Sequence, residues 1–160
     1  MPTLLLRFPG GRYHATPWGH HVNEGQIEWP PSPWRLLRAL LATGYATLHW
    51  PNDFTTESAP PPLAVSLIQR LASVLPSYHL PPVATGHTRQ YQPMAVIDKA
   101  QGKEKTTLVF DTWAKVGDGE LAVTWDIELP DAEAALLGEL VARLGYLGRS
   151  ESWVVCRLAA

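Results

Sequence analysis

Residues 7–43 read RFPGGRYHATPWGHHVNEGQIEWPPSPWRLLRALLAT. Ser32 is a favoured helix N-cap, and Pro33 fits the first helical position, where its missing N–H group costs nothing. Arg35 and Arg38 project from one face of the predicted helix. Leucines at helical spacing fill the other face: Leu36, Leu37, Leu40 and Leu41. The stretch predicts a basic, aromatic and imidazole-rich loop that leads into a basic-faced helix, which suits a partner carrying phosphate.

Length and composition favour one domain. At 160 residues and 46% apolar content, the chain is long and apolar enough to form a core. No run approaches the ~18 apolar residues that a membrane helix needs, and the N-terminus lacks a signal-peptide pattern. Cys156 is the one cysteine, so no internal disulfide forms. Because it lies in an apolar stretch, we expect a buried structural thiol and a cytoplasmic location.

The charges are unevenly distributed along the chain. Residues 1–105 carry nine Lys and Arg against six Asp and Glu, a net of +3, and all six histidines. Residues 106–160 carry four against nine, a net of −5. The split favours one face for an anionic ligand and another for a neighbouring protein, although a solvated surface with uneven charge would give the same count.

Periodicity and turn residues predict an α+β chain. The expected strands and helices are a strand at 3–8, the helix that begins at Pro33, a helix at 63–75, extended segments at 77–80 and 83–91, strands at 106–116 and 120–129, a helix at 131–144 and a strand at 152–158. We expect a Pro-rich linker at 49–62, a mobile excursion at 92–105, a hairpin turn at 117–119 and an Asp131 helix cap. This order fits a ferredoxin-like (RRM-like) βαββαβ domain with an extra helix.

No sequence motif for metal or cofactor chemistry is present. The chain lacks a Walker A loop, a G-x-G-x-x-G turn, paired Cys-x-x-Cys and H-E-x-x-H, so we expect neither a metal nor a cofactor. His20 and His21 are adjacent and point apart on regular backbone, which disfavours zinc. His14, His20 and His21 either scaffold the loop through hydrogen bonds or supply a general acid or base for RNA cleavage.

Five motifs in order resemble CRISPR-associated proteins of the RAMP superfamily. They are the opening strand, WPPSPW at 29–34, GHTRQYQPM at 86–94, KTTLVFDT at 105–112 and GYLGRSE at 145–151. The match is to the Cascade subunit that holds the 5′ handle of CRISPR RNA in subtype I-G (formerly I-U), and it spans essentially all 160 residues. In that subtype the handle-binding half is fused to a CRISPR-RNA-processing endoribonuclease half.

The resemblance implies fold, partners and activity. It implies a β-hairpin thumb at about 87–110 that inserts into the guide backbone. The implied partners are CRISPR RNA, the backbone subunit and large subunit of Cascade and, indirectly, target DNA, in antiviral defence without a membrane. The sequence ends at Ala160, after the strand that closes the first half. We therefore expect this chain not to be catalytic and the full-length fusion to be the endoribonuclease.

Single-stranded RNA is held by aromatic or Arg planes that stack on bases and by basic groups along the phosphates. The candidate RNA-binding residues are Arg12, Tyr13, His14, Trp34, Arg35, Arg38, His87, Arg89, Tyr91, Gly148 and Arg149. Among these, Tyr13, Trp34 and Tyr91 are the candidates for stacking. The Gly148-Arg149 turn resembles one whose backbone N–H groups meet a phosphate, and it also fits an ordinary helix-to-strand turn. Trp125 and Trp153 are expected in the core, and for Trp34 core packing and stacking stay equally open.

Two other functions remain open from sequence. A metal-independent endoribonuclease would use His14, His20 or His21 to activate a ribose 2′-OH. A protein-interaction module without RNA contact would explain the acidic C-terminal third but not the basic loop.

Overall fold

The computed structural model describes residues 1–51, 59–98, 100 and 102–159, and it has the expected α+β architecture. The strands are β1 (Thr3–Arg7), β2 (Arg12–Tyr13), β3 (Ser77–His79), β4 (Ala84–Asp98), β5 (Lys103–Lys115), β6 (Glu120–Thr124) and β7 (Val155–Leu158). The helices are α1 (Pro33–Thr47), α2 (Pro62–Ala72) and α3 (Asp131–Ala142), with a short 3-10 turn at Val22–Glu24.

The central sheet has four antiparallel strands in the order β3-β6-β1-β7. In β1, Leu4 lies opposite Val123 and Leu6 lies opposite Cys156. Both leucines are fully buried, whereas Leu5 and Arg7 alternate to the other face, as the two-residue period of a strand requires. One face of the sheet therefore builds the core.

Helix α1 begins as its sequence predicts. The Ser32 hydroxyl accepts a hydrogen bond from the Arg35 backbone N–H at 3.3 Å, and Pro33 occupies the first turn. Leu36, Leu37 and Leu40 are buried against the sheet. The opposite face of α1 is left for other contacts.

Helices α1, α2 and α3 contact one another and form the second layer. Glu133 on α3 is buried, and its carboxylate accepts hydrogen bonds from the Ser66 hydroxyl at 2.7 Å and Arg70 Nε at 2.6 Å. The hydrogen bonds from Arg70 and then Ser66 hold the pKa of this carboxyl below its ordinary value. A buried charge is tolerated where it is paired and hydrogen-bonded in this way.

The second sheet is a long hairpin, β4 paired with β5, with the two-residue β2 on its other side. The strands are 15 and 13 residues long, and their paired register shifts once between Pro93 and Ile97. The expected mobile excursion at 92–105 is thus corrected: its described residues mostly continue the two strands. The expected 117–119 hairpin is also wrong, because β5 pairs with β4 and β2 while β6 pairs with β1 and β3.

Three further expectations can be compared with the structure. Trp125 is fully buried, but Trp153 is 65% exposed, so its assignment to the core is wrong. Pro130, not Asp131, is the N-cap of α3, and no side chain caps that helix. Cys156 is buried as expected, and burial raises the pKa of its thiol to about 12.

Two further expectations concern the Pro-rich linker and membrane-spanning helices. Half of the expected 49–62 linker, residues 52–58, lies outside the described residues, and its last residue, Pro62, begins α2. Among the residues that are described, no helix is long and apolar enough to cross a membrane.

Candidate nucleic-acid interface

A charged cluster joins the N-terminal loop, the hairpin and the last turn of the chain around His14. His14 Nε2 lies 3.2 Å from Asp111 Oδ1, and His14 Nδ1 lies 3.0 Å from Glu151 Oε1. The Arg149 guanidinium is 3.4 Å from Asp111 Oδ1. Because His14 is only 6% exposed and both ring nitrogens face carboxylates, the imidazole is held in place by its neighbours.

Backbone contacts fasten the same three segments. The His14 N–H donates to the Ser152 hydroxyl at 2.8 Å, and the Arg149 N–H donates to the His14 carbonyl at 2.9 Å. Gly148 has φ +83°, and a Cβ there would lie 2.5 Å from the His14 carbonyl oxygen. The Arg149 N–H is thus bonded to protein, which favours the ordinary helix-to-strand turn, one of the two alternatives that the sequence left open.

A groove of about 460 Å³ lies between the solvent-facing side of α1 and the loop after α3. Its lining combines aromatic, basic and small residues: Trp18, Glu28, Ser32, Trp34, Arg35, Arg38, Ala39, Ala42, Thr43, Ala46, Thr47, Arg143, Leu144, Gly145, Tyr146 and Gly148. We name it the α1 groove. This mixture provides apolar contact area together with positive charge.

One end of the α1 groove is an ion pair between Glu28 and Arg35. Arg35 Nε donates to Glu28 Oε1 at 2.7 Å, and its NH2 group donates to the Thr16 carbonyl at 2.9 Å. Burial alone would raise the pKa of the Glu28 carboxyl, but the hydrogen bonds from Arg35 and the Ser32 N–H outweigh it and lower the pKa. Arg35 is thus occupied by protein groups, so its charge is offset at the place where a phosphate contact is expected.

The other two arginines of the α1 groove, Arg38 and Arg143, make weaker contacts with protein groups than Arg35 does. The Arg38 guanidinium lies 5.8 Å from the centre of the exposed Trp34 ring, within the range of a cation–π contact. Arg143 pairs with Glu139 at 3.2 Å, but both side chains are about half exposed, so the pair is weak. Trp34 is therefore not a core residue, and it lies beside a positive charge.

The hairpin presents a second aromatic and basic surface. His87 stacks on Phe110 with ring centres 5.4 Å apart, and the Arg89 guanidinium lies 5.1 Å over the same Phe110 ring. The pairing register puts Phe110 opposite Arg89 and Leu108 opposite Tyr91. Since side chains alternate along a strand, His87, Arg89 and Tyr91 share one face, which we name the hairpin ladder.

The base of the hairpin is anchored to the N-terminal loop. Gly25 has φ +69°, and a Cβ there would collide with the Phe110 ring. On the neighbouring strand, the Arg12 guanidinium lies 5.6 Å from the Trp113 ring centre. Arg12 is exposed, as its predicted role requires, but it already covers a ring of the protein itself.

Tyr13 lies in the core and not at a surface. Its side chain is fully buried, its ring packs against Phe8 and Trp29, and burial raises the pKa of its phenol far above the ordinary range. The expectation that Tyr13 stacks on an RNA base is therefore corrected. Strand β2 turns Tyr13 inward and exposes Arg12, because neighbouring residues of a strand point to opposite sides.

The other two loop histidines are exposed. His20 Nδ1 lies 2.7 Å from Glu24 Oε2, and His21 Nδ1 accepts a hydrogen bond from the Asn23 N–H at 3.3 Å as the cap of the 3-10 turn. The structure thus separates both from His14. Each of the two has a local structural contact.

Sequence reasoning missed several residues of these surfaces. Trp18, Tyr146 and Arg143 line the α1 groove, and Asp111 and Glu151 hold His14. The GYLGRSE motif at 145–151 contains Tyr146 and Glu151, so it was a signal for two of them. The KTTLVFDT motif at 105–112 contains Asp111, but the proximity of Asp111 to His14 depends on the pairing of β5 with β2.

Comparison with known proteins gives no assignment. No protein-family model matches the chain, and no curated protein matches it.

Proposed function

We propose that this chain is an RNA-binding structural subunit of a type I CRISPR effector complex, Cascade, and that it holds the 5′ handle of CRISPR RNA. The sheet order β3-β6-β1-β7, with α1 and α2 before β3 and α3 before β7, supports a ferredoxin-like βαββαβ domain with one extra helix. The inserted β4–β5 hairpin corresponds to the thumb of such subunits and is longer at its base than the 87–110 expected.

The hairpin ladder is the observation that carries this proposal. Together with Phe110 opposite Arg89, it displays an imidazole, a guanidinium and two aromatic rings on one face of the hairpin, and Tyr91 is exposed. Sequence-tolerant binding of single strands needs this combination, because bases stack on ring faces and cations follow the phosphates. A core packing role does not explain an exposed tyrosine and arginine side by side.

The proposed partners follow from the same subunit role. CRISPR RNA would lie against the hairpin, the backbone subunit of Cascade would coat the adjoining guide, and the large subunit would contact the complex nearby. Target DNA is reached only through the guide. Residues 106–160 carry a net charge of −5, which makes this part of the chain more compatible with a protein neighbour than with RNA.

The alternative, a metal-independent endoribonuclease, has less support. General base catalysis requires an imidazole nitrogen within hydrogen-bond reach of the 2′-OH. Both nitrogens of His14 face carboxylates, and the ring is buried. His20 is exposed beside Glu24, but that contact joins two residues four positions apart at the surface. We therefore assign His14 a structural role.

Replacing Arg89 tests the proposal. An Arg89→Ala variant is expected to bind handle RNA more weakly by about 1–3 kcal/mol, because a charge-assisted phosphate contact and a stacking partner are lost. The dependence of the binding constant on salt should also flatten, since one fewer counterion is released. Fluorescence anisotropy with labelled handle RNA at several salt concentrations measures both effects.

Arg157→Ala is the matched control. Arg157 is an exposed arginine on β7 that pairs with Glu120 at 3.2 Å, away from the hairpin strands. It should change neither the affinity nor the salt dependence. If Arg89→Ala binds handle RNA like the unmodified chain at low salt, the hairpin ladder is not the RNA contact.

A further inference from the structure

We propose that the α1 groove seats a single nucleotide of the bound strand, with its base against Trp34 and its phosphate on Arg38 and Arg143. This inference rests on the proposed RNA-binding function and adds a second contact to the hairpin ladder. A free nucleotide and a residue of an RNA strand present the same groups to the groove, a flat base and a phosphate joined through a ribose. In the proposed complex that unit belongs to a single-stranded RNA, not to a free nucleotide.

The dimensions of the groove suit one nucleotide. Its volume of about 460 Å³ is within the usual range for small-ligand sites. The part of α1 that lines it carries Ala39, Ala42 and Ala46 at helical spacing, so no long side chain rises from this strip. A flat ring can therefore approach the helix closely and keep an apolar surface under it.

Exposed aromatic rings surround the groove. Trp34 is 62% exposed, Trp18 is 88% exposed and Tyr146 is 52% exposed, and all three line it. Tryptophan is usually highly buried, so three exposed rings at one groove are an informative feature. Their faces can stack on a base, and Arg38 beside Trp34 adds the positive charge that a stacked nucleotide requires.

The charges of the groove favour an anion at one side. Glu28 offsets Arg35, and Glu139 only weakly offsets Arg143 at an exposed pair. Within the described parts of the chain, no carboxylate lies within 4.0 Å of the Arg38 guanidinium. The phosphate of a nucleotide would therefore lie toward Arg38 and Arg143 and away from Glu28, next to which the neutral sugar or base edge would lie.

Photo-crosslinking identifies the ring that contacts the base. A short oligoribonucleotide with one 5-iodouridine is bound to the chain, irradiated, digested and mapped by mass spectrometry. The expected crosslink is at Trp34 or its groove neighbours Trp18 and Tyr146. Competition with unlabelled uridine monophosphate and with an unlabelled oligonucleotide distinguishes a site for a free nucleotide from a site for an RNA strand. If the groove binds a strand, the unlabelled oligonucleotide displaces the labelled probe far better than the mononucleotide does.

Affinity measurements with matched variants accompany the mapping. Trp34→Ala is expected to weaken oligonucleotide binding by about 5- to 150-fold, the usual range for loss of one stacking contact. Arg38→Ala should weaken it by about 10-fold. Trp153→Ala removes another exposed tryptophan, outside the lining of the groove, and should leave binding unchanged. Because Trp34 is exposed, its replacement leaves the core intact.

The results of these experiments distinguish a failure of the nucleotide site in the α1 groove from a failure of the proposed RNA-binding function. If Arg89→Ala weakens binding while Trp34→Ala and Arg38→Ala do not, the groove inference is overturned and the proposed function stands. If the chain binds no RNA but 5-iodouridine monophosphate still labels Trp34, the proposed function fails and the site takes a free nucleotide. If neither probe labels a groove residue, the nucleotide site is wrong, and a protein segment becomes the occupant to test.

Discussion

Gly148 is the residue at which the last turn of the chain meets the N-terminal loop. It has a left-handed backbone conformation with φ +83°. A Cβ at this position would point at the His14 carbonyl and the Ala15 side chain. Glycine adopts this conformation without the steric cost of a Cβ. The residue therefore permits both the turn and the close approach of two backbones, which the Arg149-to-His14 hydrogen bond then fixes.

Gly148→Ala is expected to destabilise the fold by about 1–3 kcal/mol, because the strained conformation and the 2.5 Å approach to the His14 carbonyl both oppose a Cβ. Urea unfolding followed by circular dichroism measures the loss. Gly145→Ala is the matched control in the same loop, where a Cβ meets nothing within 4 Å. Equal unfolding free energies for the two variants would show that the Gly148 contact does not stabilise the chain.

Some residue-level predictions with a local cause succeeded, whereas the equally local prediction of an Asp131 cap is wrong. Ser32 and Pro33 begin α1 because capping depends only on the residues next to it, and Cys156 is buried within an apolar strand. The predictions for Tyr13 and Trp153 are wrong, because strand pairing, and not local composition, decides which of these two rings faces the core. Tyr13 enters the core only when β2 pairs with β5, which the sequence of the loop does not reveal.

At the scale of elements, α2 and α3 are joined by one buried carboxylate. Glu133 accepts hydrogen bonds from Ser66 and Arg70, both on α2. Its pKa is lower in the folded chain than its ordinary value near 4.5. A carboxyl group of this kind stabilises the folded state fully above its unfolded pKa, and this stabilisation is lost as the pH falls through the lower folded value.

Glu133→Gln should be less stable than the unmodified chain at neutral pH and should lose less stability on acidification below about pH 4.5. The reason is that the neutral amide cannot gain the proton that weakens the bond to Arg70. Urea unfolding from neutral pH down to the acid limb measures both stability curves. Glu139→Gln, an exposed member of the same helix, should stay close to the unmodified chain at neutral pH. If the unfolding free energies of Glu133→Gln and of the unmodified chain change in parallel with pH, the Glu133 carboxylate does not stabilise the fold through its bond to Arg70.

The helices could be predicted from leucine spacing, whereas the hairpin was expected only from the family resemblance, at about 87–110, and not from the pattern of its residues. Leucine spacing marks α1, α2 and α3 to within a few residues because their periodicity is local. The β4–β5 hairpin contains Pro93 and lysines that indicate a loop, and a strand exposed on both faces lacks the apolar alternation that marks a strand. The ladder and the groove emerge only from this pairing and from the packing of α1 beside the loop after α3.

The molecule as a whole separates its charges by sequence region. The histidines and the excess of basic residues lie in residues 1–105, and the acidic excess lies in residues 106–160. The overall charge of −2 gives no general attraction to nucleic acid, so any RNA contact depends on local surfaces such as the groove and ladder.

One copy of the chain is expected to co-purify with CRISPR RNA and several copies of the backbone subunit when the effector genes are expressed together. The physical reason is that a single projecting hairpin and a split charge distribution suit a cap and not a repeating coat. Native mass spectrometry of the purified complex gives the stoichiometry. A complex without RNA, or with many copies of this chain per RNA, would contradict the subunit role.

The length of the hairpin makes the position of its tip sensitive to the contacts at its base. A 13-residue strand extends roughly 40 Å, so a rotation of about 5° at its base would displace its tip by roughly 3–4 Å. Among the described residues, the side-chain contacts near its base include Phe110 against Gly25, Trp113 with Arg12, and Asp111 with His14, beside the pairing of β2 with β5. Conservative changes at these three points would therefore re-aim the tip without touching it, and small differences there would tune which distant contact the tip reaches.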